Sequence, residues 1–194
     1  NYKVMFDRIE AGTYALAVAI AGGEIELIGA EKKLLTFFLN VLESIGIDYI
    51  ITENSIIFKR NSNSLNPVDI TTEPYPGFPT DLQAQLMAVM SISNGTSVIT
   101  ESIFENRFMH APELIRMGAK IKLKGNFAIV EGVKKLKGAE VMATDLRASV
   151  SLILAGLVAE GVTNIDRIYH IDRGYQDIVK KLQFCGANIN KVEL

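Results

Sequence analysis

Two aspartates share one sequence context, in which Thr precedes the acid and Leu opens an apolar run after it. Asp81 lies in PTDLQAQLMAVM and Asp145 lies in ATDLRASVSLIL. The pattern predicts a helix after each pair, with Thr80 and Thr144 as N-caps and the aspartates in the first turn. In one interpretation the carboxylates only stabilise the helices, because acidic groups favour the positive end of a helix dipole. In the other, a carboxylate at a helix end acts as a base or binds a substrate hydroxyl.

Three arginines accompany these aspartates. Arg147 follows Asp145 by two residues, whereas Arg107 and Arg173 each follow a predicted strand, at its junction with the next helix. A guanidinium group binds carboxylate and phosphate through paired hydrogen bonds, so the set favours a small anionic substrate. The alternative is that each arginine pairs with a nearby acid, in surface contacts that contribute little. The acids available for such pairs are Glu105, Asp145 and Asp172.

These residues converge only if the segments that carry them are equivalent parts of a repeat. Three segments share one order: an acidic start, an apolar helix, a glycine, an alternating strand, and a second helix with its own glycine. We therefore predict an α/β fold that forms one domain over residues 1–194, with repeats at about 7–66, 67–137 and 138–194. Each repeat is a β-α-β-α-β-β unit, with the apolar helices buried together and the sheets outside. Equivalent helix ends then lie at one rim.

Glycines mark the predicted helix ends, since a left-handed residue without a side chain terminates a helix at low cost. The strands are predicted in EIELIGA, SVITESIF and TNIDRIYH. Hairpins are predicted in DYIITENSIIFKR and in IKLKGNFAIVEGV, the second turning at Gly125-Asn126. The third repeat is expected to lack its last strand, which is either supplied by sequence outside the chain or leaves an open edge. The glycines are Gly22, Gly95 and Gly161 for the first helices, and Gly46, Gly118 and Gly186 for the second.

The composition of the chain disfavours several classes of protein. The 194 residues are 48% hydrophobic, carry a net charge of −2 and contain no Lys/Arg block, so nucleic acid is not an expected partner. The longest uncharged apolar stretch, Ala148–Ala159, is too short to cross a bilayer, so no membrane is expected either. The single cysteine allows no internal disulfide, which favours a cytoplasmic location. The opening NYKVMFDRIEAG is expected to come from the interior of a longer protein.

The remaining residues that could do chemistry are few. His110 and His170 have no third ligand at a suitable spacing, so neither a metal nor a cofactor is expected. Cys185 stands near a helix end and is interpreted as a packing residue rather than a nucleophile. Four of the five prolines lie between residues 67 and 79, where they predict a stiff loop that brings Asp81 to a fixed place.

The chain resembles the UDP-N-acetylglucosamine 1-carboxyvinyltransferase family in five motifs: DRIEAGT, PYPGFPTDLQAQ, ITESIFENRFMHAPEL, GAEVMATDLRASVSLILAGLVAEG and DRIYHIDRGY. The members of this family are also called UDP-N-acetylglucosamine enolpyruvyl transferases. The resemblance covers essentially the whole chain. It implies an inside-out α/β barrel of the enolpyruvyl transferase type, as one of two domains with the active site in the cleft between them. The related 3-phosphoshikimate 1-carboxyvinyltransferase shares that fold, but its motifs match FENRFMH and YHIDRGY less well.

The resemblance implies a transferase of the first committed step of peptidoglycan synthesis. Its substrates are phosphoenolpyruvate and UDP-N-acetylglucosamine, and it moves the enolpyruvyl group to the sugar 3'-hydroxyl with release of phosphate. Asp81, Asp145 and Arg173 resemble the catalytic residues, of which Asp81 is the proposed base and Asp145 a second acid in proton handling. Arg107, Arg147 and Arg173 resemble the arginines that bind phosphoenolpyruvate or the tetrahedral intermediate. Thr80, Asp81 and Ile103 resemble contacts to the UDP-sugar, Ile103 through its backbone.

One part of the family pattern lies outside the chain. The catalytic cysteine of the family is carried on a mobile loop of the other domain, and Cys185 does not match its motif. The resemblance therefore implies that a domain on the N-terminal side is the missing partner and that the isolated chain is inactive. The alternatives are a non-catalytic binding module of the same fold and the related 3-phosphoshikimate enzyme.

Overall fold

The fold is an α/β arrangement, described by a computed structural model over residues 1–2, 4–105 and 107–192. The helices are α1 (Arg8–Ala21), α2 (Thr36–Ile45), α3 (Gln83–Met90), α4 (Ala111–Arg116), α5 (Val150–Gly156), α6 (Tyr169–Asp172) and α7 (Ile178–Phe184). The strands are β1 (Gly23–Ile28), β2 (Asp48–Ile51), β3 (Ser55–Arg60), β4 (Ile70–Thr71), β5 (Thr96–Thr100), β6 (Lys120–Lys124), β7 (Phe127–Glu131), β8 (Glu140–Met142) and β9 (Asn164–Asp166). Single 3-10 turns occupy Lys32–Leu34 and Thr80–Leu82.

The core consists of three helices that pack against one another. α1, α3 and α5 make mutual contacts, and the sheets lie outside them. Every residue of α3 is buried, as are the first six residues of α5. A helix that is apolar on all sides is stable only when it is covered on all sides, so these helices occupy the centre. This confirms the predicted inside-out arrangement. Within the described residues, no helix combines the length and the apolar character that crossing a membrane requires.

Within the part of the chain that the structure describes, the strands form three separate sheets. The first has the order β1-β3-β2, the second β4-β5-β7-β6, and the third pairs β8 with β9. The pairs β4–β5 and β8–β9 are parallel, whereas the others are antiparallel. In the second sheet and its helices, the elements follow the predicted order β-α-β-α-β-β.

The other two units are less complete than the second. No strand precedes α1 in the described residues, and residues 185–192 contain no strand after α7. The third unit was expected to lack only its last strand. In the described residues it lacks both strands of its hairpin. The exact bounds of the three repeats stay a prediction.

The predicted hairpins are present in the structure, whereas the predicted helix-ending glycines are confirmed with one exception. Both hairpins are confirmed, and Lys124 faces Phe127 across the predicted two-residue turn. Positive φ angles are present at all the predicted helix-ending glycines except Gly95. There α3 has already ended at Met90, and a Cβ on Gly95 would lie 2.8 Å from the Pro67 ring, so Gly95 permits a close approach instead.

Two of the predicted strands are shorter than their alternating pattern. SVITESIF is a strand only as far as Thr100, after which Glu101 turns into the interior. TNIDRIYH is a strand only as far as Asp166, because Arg167 adopts a φ of 58° and the chain enters α6. Both early ends produce the loops that carry Arg107 and Arg173.

Candidate active site

The proline-rich loop before α3 is a compact turn. The Glu73 N–H donates to the Phe78 carbonyl at 2.9 Å, and the Gly77 N–H donates to the Pro74 carbonyl at 2.8 Å. Phe78 is fully buried and fixes the end of the loop. A Cβ on Gly77 would lie 2.5 Å from the Glu73 Cβ, so the turn has no room for a side chain there. The geometry supports the prediction that this loop sets the position of Asp81.

Asp81 meets Arg107 at the start of α3. Arg107 Nη2 donates to Asp81 Oδ1 at 2.6 Å, and Arg107 Nη1 donates to Thr80 Oγ1 at 2.8 Å. The Phe104 ring lies 4.9 Å from the guanidinium carbon. The Asp81 side chain is 40% exposed and that of Arg107 21%, so the pair is open to a ligand. The alternative pairing of Arg107 with Glu105 is not observed.

The role predicted for Thr80 as an N-cap is wrong. α3 begins at Gln83, after the 3-10 turn, and the Thr80 hydroxyl caps no backbone group of the described residues. It donates instead to Glu101 Oε2 at 2.8 Å. Glu101 also accepts the backbone N–H of Ile103 at 2.9 Å, so Ile103 lies beside the same cluster with its side chain partly exposed. Sequence reasoning missed Glu101, whose signal was an acid within an otherwise apolar strand pattern.

The Asp145 carboxylate makes the helix-stabilising contacts that the first interpretation expects. Its Oδ1 accepts the backbone N–H groups of Arg147 at 2.8 Å and Ala148 at 2.5 Å, so the carboxylate caps the turn before α5. Thr144 is not an N-cap, because its backbone N–H donates to Ser149 Oγ at 2.9 Å and α5 begins only at Val150.

Arg147 joins the start of α5 to the start of α1. Its Nη2 donates to Asp7 Oδ2 at 2.6 Å and its Nη1 to the Gly174 carbonyl at 2.8 Å, while its guanidinium lies 5.0 Å from the centre of the Tyr175 ring. Asp7 is the N-cap of α1 and accepts the N–H groups of Ile9 and Glu10. Burial alone would raise the pKa of Asp7, but the Arg147 contact and these backbone bonds outweigh it and lower the pKa.

A buried polar cluster connects the two arginine contacts. The Tyr175 hydroxyl lies 2.9 Å from Thr13 Oγ1, on α1. Gln85 Nε2, on α3, donates to Tyr175 Oη at 3.2 Å and to the Asp81 carbonyl at 2.8 Å. Burial raises the pKa of Tyr175. The N-terminal ends of α1, α3 and α5 are thus joined through one tyrosine of the third unit.

Arg173 lies next to this cluster and faces solvent. It follows α6 and is exposed, and its side chain makes no ion pair or hydrogen bond within residues 1–2, 4–105 and 107–192. Asp172, its predicted alternative partner, contacts Lys191. A Cβ on Gly174 would lie 2.7 Å from the Leu146 carbonyl, so the loop after Arg173 packs closely against the segment that carries Arg147.

The predicted site residues therefore form two neighbouring groups. Thr80, Asp81, Ile103 and Arg107 are connected through Glu101, whereas Asp145, Arg147 and Arg173 lie where α5 begins. The cluster of Tyr175, Gln85 and Thr13 bridges them. Asp7, Gln85 and Tyr175 were not predicted as site residues. Asp7 had a signal, since it is the acidic start of the first repeat.

Histidine and cysteine residues contribute no further reactive cluster. His110 is buried, and burial together with the charge of Arg107 lowers its pKa to about 3. Cys185 is not the packing residue that was predicted. It is exposed, because α7 directs Ile178 and Leu182 inward and ends at Phe184. Over the described ranges, no group of three or more His, Cys, Asp or Glu side chains could hold a metal ion.

The fold is that of enolpyruvyl transferases. The enolpyruvyl transferase NikO from Streptomyces tendae superposes with a TM-score of 0.89 at 27% identity, over 97% of this chain and 45% of that one. An EPSP synthase from Acinetobacter baumannii has a TM-score of 0.65 at 20% identity, over 84% of this chain and 40% of that one, and supports the fold alone.

Sequence comparison gives the family. The profile of EPSP synthase (3-phosphoshikimate 1-carboxyvinyltransferase) matches residues 1–182, and the chain belongs to this family. Curated relatives named UDP-N-acetylglucosamine 1-carboxyvinyltransferase are 58% identical in Chelativorans sp. (strain BNC1) and 57% identical in Agrobacterium fabrum, each over 99% of this chain. The resemblance seen in the motifs is thereby confirmed. The chain spans 45% of the length of each of these relatives.

Proposed function

We propose that the chain is part of a transferase that moves the enolpyruvyl group of phosphoenolpyruvate to the 3'-hydroxyl of UDP-N-acetylglucosamine and releases phosphate. The names of relatives at 57–58% identity support the substrate pair. The observation that carries the proposal is the partly exposed contact of Arg107 with both Thr80 and Asp81. It supports the proposal because a guanidinium group, which is suited to bind anions, lies directly beside a carboxylate, which is suited to accept a proton.

The reaction assigns a distinct task to each charged group. Asp81 takes the proton of the sugar hydroxyl as its oxygen attacks C2 of phosphoenolpyruvate, while a proton is added at the methylene carbon. Loss of one proton from the resulting methyl group and of phosphate from the tetrahedral intermediate then restores the double bond. Arg107 and Arg173 bind the phosphate and carboxylate of the substrate, so that their charge no longer repels the incoming oxygen.

Asp145 and Arg147 have more constrained tasks. Asp145 uses one oxygen to cap the turn before α5, so its proton handling falls to the other oxygen. Arg147 is held by Asp7 and by the Gly174 carbonyl, which fixes the loop that presents Arg173. We propose that Arg147 binds the intermediate without leaving these partners, since a guanidinium group has five N–H donors.

The complete enzyme needs a second domain on the N-terminal side, and the chain alone is inactive. In that enzyme the rim formed by the helix starts would face the partner domain across a cleft. The proposal includes a role in the first committed step of peptidoglycan synthesis, and with it in cell shape and cell division, in the cytoplasm.

A chimeric enzyme tests the proposal. The segment of the Agrobacterium fabrum relative that matches this chain is replaced by residues 1–194, and phosphate release is measured with phosphoenolpyruvate and UDP-N-acetylglucosamine. We expect turnover by the chimera, loss of at least about 100-fold in Asp81→Asn, and little change in Asp48→Asn, a matched substitution on the exposed strand β2.

Three outcomes contradict the proposal or favour an alternative. Turnover with 3-phosphoshikimate in place of the UDP-sugar identifies the related enzyme. Binding of phosphoenolpyruvate without turnover, in a folded chimera, identifies a binding module. Turnover by the isolated chain shows that the second domain is not required.

A further inference from the structure

Glu101 is a buried carboxylate whose two oxygens accept hydrogen bonds from neighbouring hydroxyl and N–H groups. The residue is 1% exposed, and no lysine or arginine of the described residues forms an ion pair with it. Its Oε1 accepts the Thr72 hydroxyl at 2.7 Å, the Ile103 N–H at 2.9 Å and the Phe104 N–H at 3.2 Å. Its Oε2 accepts the Thr80 hydroxyl at 2.8 Å. A buried acid is retained at a cost unless its oxygens are satisfied, and here four donors satisfy them.

The carboxylate determines the direction of the Thr80 hydroxyl. A threonine hydroxyl has one proton and two lone pairs, and the proton of Thr80 is committed to Glu101. The lone pairs therefore remain for Arg107, whose Nη1 donates to Thr80 Oγ1 at 2.8 Å. Because the Glu101 carboxylate can only accept hydrogen bonds, it takes the Thr80 proton and leaves the Thr80 oxygen to accept from the Arg107 guanidinium.

The same carboxylate holds a second contact of Arg107. It binds the backbone N–H of Phe104, whose ring lies 4.9 Å from the guanidinium carbon. Thr80 and Phe104 therefore hold Arg107 in place, and the other Nη of Arg107 reaches Asp81 at 2.6 Å. Among the described residues, Glu101 thus supports two groups that contact Arg107, Thr80 and Phe104, although it does not touch Arg107 itself.

We propose that Glu101 is a positioning residue: it orients Thr80 and the loop through Phe104 so that Arg107 binds the anionic substrate and Asp81 meets the attacking hydroxyl in one fixed geometry. This inference rests on the proposed function for its catalytic consequence. Its structural content, the coupling from Glu101 through Thr80 to Arg107, is independent of any substrate.

A purely structural role makes a different prediction. Glu101 also accepts the hydroxyl of Thr72, which in turn accepts the backbone N–H of Ser102 at 2.9 Å. Removing the Glu101 carboxylate therefore loosens the loop after β5. Thr72→Val loosens the same loop but leaves the bond between Glu101 and Thr80 intact. If loop stability is all that matters, Thr72→Val and Glu101→Gln have equal effects on Arg107 at equal loss of stability.

The first experiment uses the 194-residue chain without substrate. The rotation rate of the Arg107 guanidinium about its Nε–Cζ bond is measured by ¹⁵N NMR, with the resonance assigned through Arg107→Lys. In Glu101→Gln an amide donor faces Thr80 in place of an acceptor. The Thr80 contact of Arg107 is then weakened while the Asp81 contact remains, and the guanidinium rotates about tenfold faster or more. Glu131→Gln, at the far end of the same sheet, leaves the rate unchanged. Thr72→Val changes it less than Glu101→Gln does.

The second experiment uses the chimeric enzyme and a double-mutant cycle. Glu101→Gln and Thr80→Val are each expected to lower kcat/KM for phosphoenolpyruvate by about tenfold or more, and the double variant to be no worse than the poorer single variant. The inference would be overturned if the losses in kcat/KM of the two single variants multiplied in the double variant, or if the rotation rate of Arg107 were unchanged in Glu101→Gln. If the unmodified chimera has no turnover, the proposed function fails, and the NMR comparison alone decides whether Glu101 positions Arg107.

Discussion

Acid stability of the protein should depend on one buried histidine. His110 is 1% exposed, and neither ring nitrogen has a hydrogen-bond partner in the described residues. Its ring packs 6.4 Å from the centre of Phe108. Burial, reinforced by the positive charge of Arg107, lowers its pKa from 6.5 to about 3. The folded protein therefore holds a neutral imidazole over a pH range in which the unfolded chain binds a proton.

The sign and the size of the effect follow from linkage. Because the unfolded chain binds more protons between pH 6.5 and about pH 3, stability is complete above pH 6.5 and decreases as the pH falls through this range. At pH 5.0, which is 1.5 units below the ordinary value of 6.5, the loss is about 2 kcal/mol. His110→Met has a similar volume and no titrating group, so it should not lose this stability.

Urea unfolding of the two proteins at pH 7.5 and pH 5.0 measures the difference. We expect His110→Met to lie within about 1 kcal/mol of the unmodified protein at pH 7.5, and to be more stable relative to it by about 2 kcal/mol at pH 5.0. His170→Gln, measured in parallel, separates the loss of a buried histidine from the loss of any histidine. Equal pH dependence in His110→Met and the unmodified protein would refute the reasoning, because it would mean that His110 is hydrated or paired.

Three further substitutions test the rim where the helices start. Asp7→Ala should destabilise the protein by about 1 kcal/mol at neutral pH. Because folding lowers the pKa of Asp7, the carboxylate stabilises the protein above pH 3.8, and this stabilisation is lost as the pH falls through the pKa of the folded state. The urea unfolding curves of the variant and the unmodified protein should therefore converge in acid. Tyr175→Phe should cost about 1–2 kcal/mol in urea unfolding, because Thr13 and Gln85 lose a buried partner, and a cost near zero would mean that water replaces the hydroxyl. Arg173→Gln should leave stability within about 0.5 kcal/mol but weaken phosphoenolpyruvate binding by the chimera about tenfold or more; an unchanged affinity, equal to that of the control Arg116→Gln, would remove Arg173 from the site.

The inside-out fold was predictable because its central helices have no polar face. A segment such as QLMAVM is stable as a helix only when it is covered on all sides, and three such segments require one another. The lengths of β5 and β9 were not predictable in the same way. The alternating pattern of β5 continues through Glu101, but the Glu101 side chain binds the loop after β5. The pattern of β9 continues through Arg167, but Arg167 has a positive φ angle. Tertiary contacts, rather than the local pattern, end both strands.

The charged residues of the site were predictable by type and not by partner. Thr-Asp before an apolar run located both helix starts, yet neither threonine became a cap, since Thr80 is bound by Glu101 and Arg107. The nearest acid in sequence was a poor guide to pairing. Arg107 selects Asp81, 26 residues away, and Arg147 selects Asp7, 140 residues away. Such pairs follow from the packing of the helices, which no local spacing encodes.

The pairing pattern explains how cationic groups coexist on one rim before any substrate arrives. Arg107 is compensated by Asp81 from the start of α3, and Arg147 by Asp7 from the start of α1, so each cation is matched by an acid from another segment. Arg173 alone among the three arginines lacks such a partner within the described residues. A polyanion entering the rim therefore meets an uncompensated charge at Arg173 first, and gains Arg107 only in competition with Asp81. Under the proposed function, that competition would free the Asp81 carboxylate as the anion binds, and substrate binding would then be linked to the availability of the base.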